Sequence, residues 1–155
     1  MYTFKDYYHN EVKLSFADQP YSNSPLHVWV ICVYKDKWLL TKHKERGLEF
    51  PGGKVERGES AKEAAIREIK EETGGIVEKI SYVGQYFVSG KFENVIKNVY
   101  FATICSLEKQ KTYYETCGPV LLEHIPVDVK QREEYSFMMK DGVLTYCLSH
   151  LNLQL

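Results

Sequence analysis

The sequence predicts an α/β domain in which a mixed β-sheet is covered by helices on both faces. Three observations lead there. His27 to Tyr34 is a nearly continuous apolar run that reads as a buried strand. A helix signal in the middle of the chain, opened by the Ser-x-x-Glu pattern of Ser60 and Glu63, is flanked on both sides by strand-like segments. An apolar stripe at helical spacing near the C-terminus offers cover for the second face.

In chain order, the aromatic-rich runs Tyr2 to Tyr8 and Val12 to Phe16 flank His9-Asn10-Glu11 and predict an edge hairpin. Pro20 to Pro25 reads as a loop. Lys35-Asp36-Lys37 then turns the buried strand into a second one at Trp38 to Thr41. The helix carries Ala61, Ala64, Ala65, Ile66 and Ile69, with Ile66 and Ile69 expected to face the core, and Gly74-Gly75 closes it. Further strands are expected at Ser81 to Ser89, Asn98 to Ser106 and Pro119 to Glu123. A final helix is expected from about Arg132 to Leu148, bent or divided at Asp141-Gly142.

A chain of 155 residues suits one core. Hydrophobic residues at 44% and charged residues at 26% exclude a disordered or membrane class. The net charge of -1 means that a polyanion cannot be held by overall attraction, so local bases, backbone amides or bound metal must do it. Cys32, Cys105, Cys117 and Cys147 lack the spacing of a zinc site, and the first residues lack the pattern of a leader. A cytoplasmic protein with reduced thiols, no membrane association and no obligate protein partner is expected.

The functional signal is concentrated in Arg67 to Gly74. Glu68, Glu71 and Glu72 stand at i, i+3 and i+4, and so on one helical face. Each like-charge pair costs about 0.2–0.5 kcal/mol, and acids in the last turn oppose the helix dipole. A multivalent cation reverses both penalties. The small Ala61, Ala64 and Ala65 beside that face are expected to leave it open. The preceding loop, Glu49 to Glu59, carries Gly52, Gly53 and Gly58, which allow a ligand close to the backbone. It is not a P-loop, because Lys54 is followed by Val55 well before the helix.

Gly53, Glu59, Arg67, Glu68, Ile69, Glu71, Glu72 and Gly74 fit the pattern G-x5-E-x7-R-E-U-x-E-E-x-G-U, where U is bulky and aliphatic. The chain thus resembles the Nudix hydrolases, with one departure: the last U is Gly75, and Ile76 follows it. The likeness extends beyond this box (residues 53–75) to Phe4-Lys5-Asp6-Tyr7-Tyr8, His27-Val28-Trp29-Val30-Ile31-Cys32 and Ser136-Phe137-Met138-Met139-Lys140-Asp141, which are similar to the MutT-like branch of the family.

That resemblance implies a single Nudix domain over residues 1–155, folded as an α/β/α sandwich with a mixed sheet. It implies hydrolysis of a phosphorus-containing acid anhydride with Mg2+ or Mn2+. Glu68, Glu71, Glu72 and the Gly52 carbonyl would hold the metal, and Arg67 would orient the glutamates. Glu59, Gly53 and Gly74 would keep the box in shape. Lys54 and Lys42 would contact substrate phosphate. Glu115, just ahead of a predicted strand, would supply a further ligand or base, with Glu68, Glu71 and Glu115 all open as the proton acceptor. The expected substrate is a nucleoside triphosphate, including 8-oxo-guanine forms, cleaved to monophosphate and pyrophosphate. The alternative is a 5′-triphosphorylated RNA end, served by a path through Lys42, His43, Lys44, Arg46, Lys91 and Tyr113-Tyr114. A noncatalytic nucleotide- or RNA-binding module is the third reading.

Overall fold

In a computed structural model, which describes residues 1–153, the N-terminal runs form the expected hairpin. β1 (Tyr2–Lys5) pairs antiparallel with β2 (Glu11–Ser15). The Asp6 carboxylate makes the turn by accepting the N–H groups of Tyr8 (2.9 Å) and Asn10 (2.8 Å). β3 (His27–Tyr34) and β4 (Lys37–His43) follow as an antiparallel pair. Lys35 and Asp36 both take left-handed φ angles between them, as a two-residue hairpin turn requires.

Two more short strands follow, β5 (Gly47–Glu49), which ends where the stretch read as loop begins, and β6 (Gly52–Lys54), which lies within it; they pair with β4 and β3. Three residues each are too few for a periodic signal. Helix α1 (Ala61–Thr73) starts on the predicted capping box, with the Ser60 side chain accepting from the Glu63 N–H and the Glu63 carboxylate from the Ser60 N–H. It ends at Gly74, whose φ of 74° is the left-handed cap.

β7 (Gly75–Ser89) begins there at once, six residues before the predicted start. It pairs with β8 (Asn94–Leu107), which also starts earlier than expected. β9 (Thr116–Leu122) lies against β4. The main sheet path runs β1-β2-β7-β8-β3-β4-β5, and the β3–β8 pairing is parallel, so the sheet is mixed as predicted.

The predicted helix from Arg132 is corrected. The segment instead makes two 3-10 turns, Val129–Gln131 and Phe137–Met139, and only α2 (Gly142–His150) is helical. The cause is local competition: the Ser136 side chain accepts from the Met138 N–H, and the Asp141 carboxylate caps α2 by accepting from the Val143 N–H. Between the turns, the chain is held to β5 by Leu48 N–H to Glu134 O and Ser136 N–H to Leu48 O, both 2.8 Å.

Strand alternation on β3 sorts the core into two layers. Trp29 and Ile31 join Phe50, Met139, Leu144 and Leu148 on the α2 side, while Val28, Val30 and Cys32 join Ala64, Ala65 and Ile69 of α1. The α/β/α sandwich follows. Two details of the helix reading are corrected. Ile66 is exposed, and Ala64 and Ala65 are fully buried, so they let α1 approach the sheet rather than leaving room for a ligand. A network with no apolar signature anchors the loop before β3: buried Gln85 accepts from the N–H groups of Tyr21 and Ser22 and donates to Ser22 O and Asn98 Oδ1.

Candidate active site

The C-terminal half of α1 meets β6 at one cleft, and the box residues meet there. Gly53 carries the closest approach: a Cβ added to it would lie 2.5 Å from Oε1 and 2.9 Å from Oε2 of Glu68. Gly52 N–H donates to Glu72 Oε1 at 3.0 Å. Both glycines are needed for proximity rather than for positive φ, since only Gly58 of this loop lies in the left-handed region. Gly75, the departure from the box, is explained in the same way. A Cβ there would lie 2.9 Å from Ile69 Cγ2 and from Thr73 Oγ1, so this helix end has no space for a bulky residue.

Arg67 holds the acidic groups in order. Its Nε and Nη2 donate to the two oxygens of Glu59 at 2.8 and 3.0 Å, and Nη2 also donates to the Lys54 carbonyl at 2.9 Å. Its Nη1 donates to Glu68 Oε1 at 2.8 Å and to Glu71 Oε2 at 3.2 Å. Glu59 in turn accepts the Glu56 N–H at 2.9 Å, tying the loop to the helix. One guanidinium thus fixes loop, helix and β6 together, and its proton affinity rises well above the ordinary value through the Glu59 hydrogen bonds.

Glu68 and Glu72 sit in a poorly solvated place. Burial lifts the Glu68 carboxyl from 4.5 to about 7, against the pull of Arg67 and with added repulsion from Glu71 and Glu115. Burial lifts Glu72 further, to about 8, opposed by the Gly52 N–H and reinforced by Glu68 and Glu49. Among the described residues, no three acidic, histidine or cysteine side chains already converge at metal-ligand distance. Glu68 leans to Arg67 and Glu72 to Gly52.

Lys54 and Glu115 line the same cleft with Gly52, Gly53, Glu68 and Glu72. Glu115 directly precedes β9, its side chain is exposed, and its Oε2 lies 3.9 Å from His43 Nε2. His43 Nδ1 accepts the N–H groups of Glu45 and Arg46, both at 3.1 Å, so the ring proton is on Nε2 and faces Glu115. Lys42 is not brought to the cleft. On β4, Thr41 and His43 turn inward, Thr41 donating to Glu72 O at 3.0 Å, and the side chain between them is exposed on the opposite face.

Sequence reasoning missed His27, Lys97 and Met138, which also line the cleft, and gave Arg46, another lining residue, only to the RNA path. Lys97 fell just outside the predicted strand, and a longer β8 would have found it. Arg46 is already occupied, bidentate on buried Glu49 at 3.0 and 2.9 Å.

Comparison with known proteins agrees with this geometry. The family model described as NUDIX domain matches residues 24–115. The chain is 58% identical over 151 residues to YtkD of Bacillus subtilis (strain 168), named there as a candidate 8-oxo-dGTP diphosphatase, with 97% of this chain and 96% of that protein covered. The crystal structure of the Bacillus subtilis pyrophosphohydrolase BsRppH superposes with a TM-score of 0.97 at 56% identity, covering 98% of this chain and 96% of the other. A NUDIX hydrolase from Nitrosomonas europaea shares the fold at 19% identity, with a TM-score of 0.65 over 84% of this chain and 89% of its own. With the box residues gathered at one cleft and the match running through almost all of its length, this chain belongs to the Nudix hydrolase family.

Proposed function

We propose that the chain is a metal-dependent pyrophosphohydrolase of nucleoside triphosphates, acting in the cytoplasm and releasing monophosphate and pyrophosphate. The observation that carries it is the Arg67 cluster, in which one guanidinium holds Glu59, Glu68 and Glu71 while Glu72 lies buried beside them. Close carboxylates that burial has made reluctant to ionise form a donor set for a hard divalent cation such as Mg2+ or Mn2+. Glu68, Glu71, Glu72 and the Gly52 carbonyl would hold it. When bound, such an ion supplies positive charge for the phosphate oxygens and makes water more acidic.

The chain's own groups do the rest. Gly52 N–H fixes one Glu72 oxygen, Arg67 orients Glu68 and Glu71, and the Lys54 ammonium reaches phosphate from the cleft wall. Glu115 would accept the proton of the attacking water, a role supported by its solvated carboxylate on the cleft wall, 3.9 Å from His43 Nε2. No described helix is long and apolar enough to cross a membrane.

A second substrate, the 5′-triphosphate end of RNA, is supported by the likeness to BsRppH and by Phe92. This aromatic is 93% exposed, with the Lys91 ammonium 5.6 Å from its ring centroid. Exposed rings beside a cation suit stacking with a single strand. The wider basic path is partly withdrawn, since His43 is buried and the ammonium of Lys44 is engaged on Tyr114 O.

Product-resolved assays with dGTP, 8-oxo-dGTP and triphosphorylated RNA, with and without Mg2+ or Mn2+, test both readings. Pyrophosphate release that needs the metal is expected. No release from any of the three under any metal would overturn the proposal.

A further inference from the structure

Glu115 owes its place on the cleft wall to the backbone that carries it. Its side chain is 86% exposed, and among the described residues its sole ionic neighbour is His43, at 3.9 Å. The loop ahead of it is fastened to the turn of α1 that bears the box glutamates. Gln110 Nε2 donates to Glu71 O at 3.1 Å, and the Thr116 hydroxyl to Glu72 O at 3.2 Å. Both carbonyls lie in the last helical turn, where donors from the helix itself have run out. Tyr113 to Thr116 then make a tight turn, closed by the Thr116 N–H on Tyr113 O at 3.2 Å. Of its two central residues, Tyr114 alone has a positive φ, of 60°. That pattern normally calls for Gly at the first position, because a Cβ there crowds the carbonyl oxygen. Tyr114 is held in it by its neighbours. Its N–H donates to Thr112 Oγ1 at 3.0 Å, and its carbonyl accepts from Lys44 Nζ at 2.9 Å. The Lys44 N–H donates to Glu115 O at 3.1 Å, so Lys44 grips the turn twice from just beyond β4.

We infer that Lys44 is a positioning residue for the reaction, its ammonium holding Tyr114 in the left-handed turn that directs Glu115 into the cleft. Rotation of Tyr114 back to negative φ would turn the peptide that follows and the Glu115 Cα–Cβ bond with it, and the carboxylate would leave the cleft wall. A cation that sequence reasoning offered to RNA is thus used on the protein's own backbone. The inference rests on the reading of Glu115 as proton acceptor, which Glu115→Gln tests separately.

The experiment is steady-state kinetics in Mg2+, on the better substrate of dGTP and triphosphorylated RNA, with thermal midpoints confirming that each variant is folded. Lys44→Met should lower kcat about tenfold and leave KM within about twofold. Lys44→Arg supplies another donor for Tyr114 O and should keep most of kcat. Gly adopts positive φ without restraint, so adding Tyr114→Gly to Lys44→Met should restore kcat by at least about threefold. In Glu115→Gln, itself slow, Lys44→Met should cost nothing further. A full-speed Lys44→Met beside a slow Glu115→Gln would overturn this inference alone. A full-speed Glu115→Gln would overturn the reading of Glu115 and the inference with it. A loss in Lys44→Met that falls on KM, or that Tyr114→Gly leaves unrepaired, would show a cation acting on substrate and would also overturn it.

Discussion

Replacing Glu72 by Gln should make the metal-free protein more stable while disabling it. The side chain is 7% exposed and its carboxyl is lifted from 4.5 to about 8, chiefly by burial. At 1.36 kcal/mol per tenfold in proton affinity, ionising it in place costs about 5 kcal/mol. Part of that is repulsion shared with Glu68, so we expect about 2–3 kcal/mol to be recovered by the single substitution. The sign follows from proton linkage. The folded state holds this proton more tightly than the unfolded chain, so stability falls as pH rises from about 4.5 and the loss is complete above about 8. Gln has no such window, and it keeps the acceptor for the Gly52 N–H. Thermal unfolding in a chelator should therefore show equal midpoints near pH 4.5 and the variant about 5–10 °C higher near pH 9. Adding Mg2+ should stabilise the natural protein and do much less for the variant. Turnover should fall at least about a hundredfold. Parallel melting curves at every pH, or a fully active variant, would refute the reasoning.

Gly53→Ala forces the Glu68 carboxylate away from a Cβ that would lie 2.5 Å from Oε1, so at least about a tenfold loss in kcat is expected from steady-state kinetics, with a small change in melting temperature. Lys54→Ala should raise KM, whereas Lys42→Ala should leave kcat/KM within about twofold, because only Lys54 lines the cleft. Gln85→Leu strips partners from two backbone N–H groups and from Asn98. Chemical denaturation should register a loss of about 3 kcal/mol, with the cleft's kcat less affected.

What could be read in advance was whatever depends on near neighbours in the chain. The Ser60–Glu63 cap, the common face of Glu68, Glu71 and Glu72 and the stop at Gly74 are relations within four residues, and all appear in α1. The buried run at His27–Tyr34 was equally plain, since an eight-residue strand covered on both faces needs little beyond its own composition. Errors arose where a distant partner decides. Residues 132–141 have enough apolar periodicity for a helix, but Ser136 and Asp141 take backbone N–H groups and β5 captures Ser136. Ala64 and Ala65 looked like a ligand-side gap because helical phase alone cannot tell a cleft from a sheet packed closely behind. Lys42 seemed placed for phosphate until strand phase, set by Thr41 and His43 turning inward, put it on the other side.

A net charge of -1 and a cleft walled by Glu68, Glu72 and Glu115 oppose the approach of a triphosphate. Arg67 does not resolve this, because its guanidinium is already spent on Glu59, Glu68, Glu71 and the Lys54 carbonyl. Arg46 is spent on Glu49 in the same way. The two strongest bases of the cleft therefore organise its carboxylates, which leaves Lys54 and Lys97 as the cations that line it without a described ion-pair partner. Two ammonium groups cannot balance the charge of a triphosphate together with the acidic wall. The missing positive charge has to arrive with a divalent ion. This gives the same carboxylates that weaken the metal-free fold their use, since the groups most costly to ionise gain most when a cation is bound. Affinity for substrate and affinity for metal should consequently rise together, and titrating either one in the presence of the other should tighten both by the same factor.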